Sequence, residues 1–473
     1  MGATAMSGVI DLTARMRLHV VGVGGPGMSA IATCLAQMGH DVSGSDIKES
    51  KVIDRLIELG VRVNIGHDRL VVHGCDAVTS STAIPRSNIE LVEAEKYGLL
   101  VLNRAGMLAS ICAMRPAIAV AGTHGKTTTT SLLVRIFAEA GLNPNFIVGG
   151  DVLDEGVGAR WTSSPWTIVE ADESDGTHLE LPLAGSILTN VDSDHLDQYG
   201  DLQGVADGFQ TYLQGIKGPV VVCVDDPIIA GFEKTSSTVT YGFASDADFR
   251  CHSVESKNGV TTFSITANTA NVANEELSVR MSLRGHHNVL NVTAAIAMAM
   301  KCGVEPRAAI NAVATFGGVG RRFEMVGSAD GVTFVDDYAH LPREISAVMA
   351  AAKTSDDSWS RVVAVFQPNR YNRMAVMSDE YSMAFVDADV VVITDIYASG
   401  TQIIEGVTGQ LVVDAITRAQ ANSQVHWHAE RSSLAEFVNQ LLRPGDVCIS
   451  MGCGDIESLP RELIDVRSGV MRP

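Results

Sequence analysis

Residues Gly122-Thr123-His124-Gly125-Lys126-Thr127 bring two glycines, an ammonium and a hydroxyl together between an apolar run, 117–121, and a helical pattern through Leu132, Leu133, Ile136 and Phe137. A glycine turn between strand and helix points backbone N–H groups and a helix N-terminus at an anion. Lys126 falls in the first helical turn, beside the positive end of the dipole, where an anion makes its charge favourable. Thr127 offers a hydroxyl where phosphate loops hold Mg²⁺. The loop is shorter than Gly-x-x-x-x-Gly-Lys-Ser/Thr, because the residue five before Gly125 is Val120. The pattern describes a nucleotide-phosphate site built from Gly122, Thr123, His124, Gly125, Lys126, Thr127 and Thr128.

A phosphate loop needs a cation. Glu170, near the end of a strand over 166–172, and His195, after a strand over 186–191, are the candidates, with Thr127. Mg²⁺ is ordinarily held by a carboxylate, phosphate oxygens and water. Alternatively, Glu170-Ala-Asp-Glu-Ser-Asp175 is a solvated acidic turn and His195 begins a helix. In Gly285-His-His-Asn-Val-Leu-Asn291 the amides read an adenine edge or cap the helix that follows. Arg370 and Arg373, just past a strand end, have the spacing to clamp a carboxylate or phosphate.

A second glycine turn stands earlier in the chain. Gly22, Gly24 and Gly27 follow a strand, precede a helix through about Met38, and are followed by Asp46 at the end of the next strand. Taken alone this is the dinucleotide fingerprint, with pyrophosphate on the helix end and Asp46 near a ribose; NAD is one possible occupant.

The elements that must position these groups alternate. Helices over 49–59 and 88–96 lie among strands over 61–65, 75–80 and 98–103. Strands over 219–224, 332–336, 361–366, 389–394, 424–428 and 446–451 alternate with helices near 288–302, 342–354, 407–419 and 432–442. The stretch 236–284 carries short antiparallel strands. Alternation of this kind predicts mostly parallel sheets, with ligands at the C-terminal strand ends. The fold class is α/β in three domains: 1–115, Rossmann-like; 116–325, a P-loop ATPase-like domain; and 326–473, again Rossmann-like. A length of 473 residues agrees with about three domains.

Acids outnumber bases 55 to 35, a net charge of −20, which disfavours nucleic-acid and anionic-membrane partners. A phosphorylated substrate must therefore be held by local dipoles and a few placed cations. Eight cysteines, at 34, 75, 112, 223, 251, 302, 448 and 453, contain no Cys-x-x-Cys pair, which suggests reduced thiols in a cytoplasm. There is no basic segment followed by an apolar run before Arg15, and no later apolar run reaches spanning length.

The ordered motifs carry a specific resemblance. Gly-x-Gly-Gly-x-Gly-Met-Ser (22–29), Gly-Thr-His-Gly-Lys-Thr-Thr-Thr-Thr (122–130), Glu-Ala-Asp-Glu-Ser-Asp (170–175), Thr-Asn-Val-x-x-Asp-His (189–195) and Gly-x-His-Asn-x-x-Asn (285–291) resemble those of the Mur ligases. Gly-Arg-Arg-Phe-Glu (320–324), Asp-Asp-Tyr-Ala-His (336–340) and Phe-Gln-Pro-x-Arg-Tyr (366–371) extend the match to about Ile456. The acidic segment and Asp-Asp-Tyr-x-His are similar to the branch that adds the first amino acid of the peptidoglycan stem.

That resemblance implies ATP-dependent joining of L-alanine to the carboxylate of UDP-N-acetylmuramate through an acyl phosphate, with ATP and two Mg²⁺. Lys126, Glu170 and His195 would be catalytic, and Thr127, Glu170 and His195 the metal ligands. Asn288, Asn291, Arg322 and Asp337 would join the phosphate loop at ATP. Gly22, Gly24, Gly25, Gly27, Met28, Ser29, Asp46, His67, Ser80 and Asn190 would hold the UDP substrate, and Tyr338, His340, Arg370 and Arg373 the alanine. A cytoplasmic monomer or homodimer is implied.

Three positions depart from the usual pattern: Leu341 and Asn369 stand where histidine is common, and Thr401 where glutamate is. All lie in the amino-acid domain. The alternatives are a recycling ligase that adds a murein tripeptide to the same acceptor, an NAD(P)-dependent oxidoreductase, which would leave the Gly-Lys-Thr loop unexplained, and a non-catalytic nucleotide switch.

Overall fold

The computed structural model describes residues 8–152, 156–194, 196–269, 272–354, 359–420 and 424–469. The chain forms two compact units. One comprises Met1–Ser253, Phe263–Arg280 and Leu290–Gly317, the other Val254–Thr262, Met281–Val289 and Gly318–Pro473.

The first unit begins with a five-stranded parallel sheet, in the spatial order Arg62–Ile65, Asp41–Asp46, Arg17–Val21, Ala77–Ser80, Leu100–Asn103. The order reverses direction at Arg17–Val21, so the first glycine turn emerges at a switch point, where α/β sheets bind ligands. The second sheet has ten strands, and in its interior, fourth from one edge, Ala117–Ala121 runs parallel between Thr167–Glu170 and Gly185–Leu188. Ala117–Ala121 is buried throughout, which accounts for its uninterrupted Ala/Ile/Val composition. Helix Pro26–Gln37 of the first sheet packs on the hairpin Asn145–Val152 and Val157–Arg160 of the second. Met28, Ile31 and Leu35 share one hydrophobic cluster with Ile147 and Ala159.

One expectation needs correction. In the stretch 236–284, Thr238–Gly242 pairs parallel with both Val220–Cys223 and Phe249–Lys257, instead of forming a short antiparallel turn-back. The strands that follow, Val260–Thr269 and Val272–Met281, are ten residues each.

The second unit holds a six-stranded sheet. Five strands, Val332–Asp337, Arg361–Phe366, Val390–Ile393, Gln424–Trp427 and Asp446–Met451, run parallel, and Glu324–Ala329 closes one edge antiparallel. The C-terminal ends of three of them deliver Asp336 and Asp337, Gln367 to Arg370, and Asp395 to one side of the sheet. Among the described residues no helix is long and apolar enough to cross a membrane.

Candidate active site

The loop at 122–127 leaves the interior strand Ala117–Ala121 and enters helix Lys126–Glu139, whose Leu132, Leu133, Ile136 and Phe137 are all at most 1 % exposed. Burying each contributes roughly 1.5–3 kcal/mol, which anchors the helix start against the sheet. Gly125 caps the helix at φ +79°, and no side chain caps the first turn, so its amides face the loop. Glycine is required twice here: a Cβ on Gly122 would lie 2.2 Å from Thr189 Oγ1, and one on Gly125 would lie 2.6 Å from Asn291 Oδ1. Asn291 thus comes against the loop in the first unit, whereas Asn288 belongs to the second unit.

Polar bonds hold the loop's shape. Thr123 N donates to Asn190 O and His124 N to Asn190 Oδ1, while Thr189 Oγ1 and Asn190 Nδ2 both donate to His124 O. Asn190, expected at the UDP substrate, therefore braces the phosphate loop. His124 Nε2 lies 2.8 Å from Asp192 Oδ2, and Asp192 N donates to Thr123 Oγ1.

Lys126 Nζ donates to Gly122 O at 2.6 Å and Thr123 O at 3.1 Å, and meets both oxygens of Glu173 at 2.9 Å. Burial opposes the Lys126 charge, but Glu173, Asp172 and Glu170 outweigh it and raise the ammonium above its ordinary range. Burial pushes the Glu173 carboxyl up to about 7, because Lys126 is set against the like charge of Asp172. Thr127 Oγ1 donates to Glu170 Oε1 at 3.2 Å, and Gly149 N to Glu170 Oε2 at 2.9 Å. Thr127 and Glu170 present oxygen donors only, which suits a hard cation such as Mg²⁺. His195 lies outside the described residues. Among the described residues no group of three His, Cys, Asp or Glu converges to bind a metal.

At the first glycine turn, Gly22 has φ +77° and Ser80 ends the neighbouring strand in register with Val21. Asp46 Oδ2 accepts Gly24 N–H at 2.9 Å, so this carboxylate buttresses the turn itself. Gly25 caps helix Pro26–Gln37, Ser29 Oγ donates to Pro26 O, and Met28 is buried in the core. His67 lies 3.3 Å from Glu90, a buried carboxylate that also meets Ser45 and His19. A Cβ on Gly27 would stand 3.2 Å from Arg104 Nη1.

In the second unit, Asp337 accepts from Phe323 N and Ala339 N, each at 2.7 Å, and burial pushes its carboxyl up to about 6. The Arg321 and Arg322 guanidinium groups both lie 5.1 Å from the Tyr338 ring centre. The Tyr338 and His340 rings meet edge to face, and His340 is held by Glu344 and by Tyr381 O–H on its carbonyl. Arg370 begins the helix Tyr371–Met377 at φ +62°, and Arg373 Nη1 donates to Asn369 Oδ1 at 2.9 Å. The predicted amino-acid residues therefore share one end of the sheet. Glu173, Arg104, Asp192 and Glu344 are the contributors that sequence reasoning missed; only the acidic segment hinted at Glu173.

Two sheets that each lead through a glycine turn into a helix, followed by a third, mostly parallel sheet, define a three-domain α/β protein. The chain belongs to the Mur ligase family: residues 17–115 match its model "Mur ligase family, catalytic domain", 120–299 "Mur ligase middle domain" and 321–454 "Mur ligase, glutamate ligase domain". It is 39% identical over 455 residues to a UDP-N-acetylmuramate–L-alanine ligase of Desulforamulus reducens, covering 95% of this chain and 97% of the relative. It is 41% identical over 457 residues to the enzyme of that name from Xanthobacter autotrophicus, covering 94% and 97%. The crystal structure of a UDP-N-acetylmuramate-alanine ligase from Thermotoga maritima matches with a TM-score of 0.81 at 25% identity, covering 97% of this chain and all of that one. A murein peptide ligase from Psychrobacter arcticus shares the fold, with a TM-score of 0.68 at 22% identity and coverage of 97% and 100%.

Proposed function

We propose that this chain uses ATP to join L-alanine to the lactyl carboxylate of UDP-N-acetylmuramate in the cytoplasm. The observation that carries the chemistry is Lys126 at a helix N-terminus whose first turn no side chain caps, with the Thr127 hydroxyl 3.2 Å from Glu170. The curated alanine ligases, similar along nearly the whole chain, support the choice of substrates. We assign residues 1–115 to the UDP substrate, 116–325 to ATP and 326–473 to the amino acid.

A carboxylate is a poor electrophile and must be activated before an amine attacks it. In this reading the γ-phosphoryl group passes to the carboxylate, giving an acyl phosphate. The alanine amine then adds to its carbonyl carbon and phosphate leaves. Phosphoryl transfer depends on positioning and charge neutralisation. The helix amides and Lys126 receive the phosphates, and Asn291 lies beside the loop. Thr127 and Glu170 would hold one Mg²⁺ and Glu170 and His195 a second, and the ions would neutralise phosphate charge during transfer. We assign the guanidinium groups of Arg370 and Arg373, which can fork a carboxylate, to that of alanine, with Tyr338 and His340 at the same end of the sheet. The glycine turn at 22–27 takes the pyrophosphate of the UDP sugar.

The test is ATP-dependent phosphate release with UDP-N-acetylmuramate, Mg²⁺ and one amino compound at a time. Release with L-alanine and much less with L-Ala-D-Glu-diaminopimelate supports the reading. Release with the tripeptide alone moves the chain to the recycling reaction.

A further inference from the structure

An ammonium has three N–H donors. Those of Lys126 are engaged by Gly122 O, Thr123 O and the two oxygens of Glu173. A phosphate oxygen that reaches Lys126 must therefore replace one of these acceptors. Two of them are carbonyls of the loop, whose path is set by Gly122 packed on Thr189 and by the bonds to Asn190. The third is a carboxylate, and a triphosphate repels it.

The surroundings of Glu173 single it out further. It is 3 % exposed, and Lys126 is the cation it bonds. Asp172, next in the chain, is turned to Arg104, which also takes Asp175. Tyr199 O–H donates to the Glu173 backbone carbonyl at 2.8 Å, fixing the main chain while leaving the carboxylate to Lys126. Glu170 and His178 complete the ionisable groups around this cluster. Once Lys126 is shared with phosphates, a buried Glu173 carboxylate loses the interaction that compensates its desolvation.

We propose that Glu173 is a competing counter-ion on the phosphate loop: it holds Lys126 against the loop carbonyls and is expelled when the triphosphate takes the ammonium. Glu173 is thus a positioning residue that sets nucleotide affinity through Lys126. The proposal rests on the reading of this loop as the ATP site.

The experiment is calorimetric titration of the full chain with a non-hydrolysable ATP analogue and Mg²⁺ at pH 8, comparing wild type with Glu173→Gln and Glu173→Asp. Glu173→Gln removes the competing charge, and its Kd should fall roughly tenfold; the KM for ATP should fall with it, while the KM for the UDP sugar moves less than about twofold. A merely structural role would weaken nucleotide binding, so tighter binding separates the two. Glu173→Asp keeps the charge but is one methylene too short to hold Lys126 with both oxygens, and its affinity should lie between. Unchanged or weaker binding in a Glu173→Gln chain that melts like wild type overturns the proposal. If that variant does not fold, Glu173→Asp decides, and affinity equal to wild type overturns it. Failure of the wild type to bind the analogue overturns the ATP reading instead.

Discussion

Arg104 Nη2 lies 3.0 Å from Asp175 Oδ2 and 3.1 Å from Asp172 Oδ2, so one guanidinium grips two acids some seventy positions further along the chain. Its Nε donates to Asp175 as well, at 3.1 Å. The same guanidinium packs beside Gly27 of the first glycine turn, close enough that any side chain there would press on it. Within one compact unit, the turn assigned to the UDP sugar and the acidic turn that holds Lys126 through Glu173 are thus joined by a single residue.

Arg104→Ala removes that fork and leaves two partly buried carboxylates without it. Breaking a buried pair costs about 3–5 kcal/mol, and less here because Asp172 is part exposed, so a loss of roughly 2 kcal/mol and, for a unit of this size, a Tm lower by ~3 °C are expected. Arg104→Lys keeps the charge but cannot fork, and should fall between. Scanning calorimetry decides: a Tm for Arg104→Ala within about 1 °C of wild type would show the pairs to be structurally idle.

Gly125→Ala tests the phosphate loop itself. The backbone at φ +79° is strained for alanine, by about 1 kcal/mol, and the new Cβ would meet Asn291 Oδ1 at 2.6 Å. The helix start must shift, and with it the first-turn amides assigned to the phosphates. Nucleotide affinity should drop by roughly tenfold or more, with UDP-sugar binding retained. An affinity within twofold of wild type would mean the anion is bound elsewhere.

What could be read in the residue order depended on whether the chemistry was local. The loop from Gly122 to Thr127 is contiguous, and its strand, turn and helix follow from composition alone. The five parallel strands of the first sheet follow from alternation in the same way. Glu173 did not stand out from its neighbours Glu170, Asp172 and Asp175, because which acid meets Lys126 depends on the path of the turn after Thr167–Glu170. Arg104 carries no motif, and its partners come from another sheet. Asp46 has the position of a ribose ligand, yet its carboxylate satisfies the Gly24 amide, a role that spacing does not distinguish. The stretch 236–284 reads as short antiparallel strands, whereas Thr238–Gly242 is parallel to its neighbour Val220–Cys223, a pairing set by the sheet and not by the local residues.

His178 makes a prediction about pH. Its ring is 1 % exposed, lies 5.5 Å from Phe209 and 5.3 Å from Tyr212, and neither ring nitrogen has a hydrogen-bond partner among the described residues. Burial lowers its pKa from 6.5 to about 4. The unfolded chain therefore binds more protons below pH 6.5, so stability is fully present above that value and is lost as pH falls toward 4. At pH 5 the loss is about 2 kcal/mol. His178→Phe fills the same aromatic niche without the nitrogens, and should raise the Tm at pH 7.5 and shrink its drop between pH 7.5 and 5. His287, also lowered to about 4 by burial, leaves a residual slope. An undiminished drop in His178→Phe would assign the acid sensitivity elsewhere.

Asn369 and Arg373 carry the last prediction, on the amino-acid side. Asn369 is 3 % exposed and Arg373 8 %, and the bond from Arg373 Nη1 to Asn369 Oδ1, at 2.9 Å, fixes the plane of the guanidinium. Asn369 is itself tied by a bridge to Tyr397, and nearby Tyr371 N donates to Thr401 Oγ1 at 3.0 Å. Two of the positions that depart from the family pattern thus hold the backbone and side chains around Arg373. If Arg373 receives the alanine carboxylate, Asn369→Ala frees its plane, and the KM for L-alanine should rise roughly tenfold while the KM for ATP stays within about twofold. Thr401→Ala removes the bond from Tyr371 N together with the turn bond to Ala398 O, a loss of about 1–2 kcal/mol in stability, but leaves the Asn369–Arg373 bond in place and should shift the alanine KM far less. Initial-rate kinetics with each substrate varied in turn separate these cases. A KM for alanine that ignores Asn369→Ala but responds to His340→Ala would move the carboxylate contact from Arg373 to the Tyr338–His340 side of the sheet end.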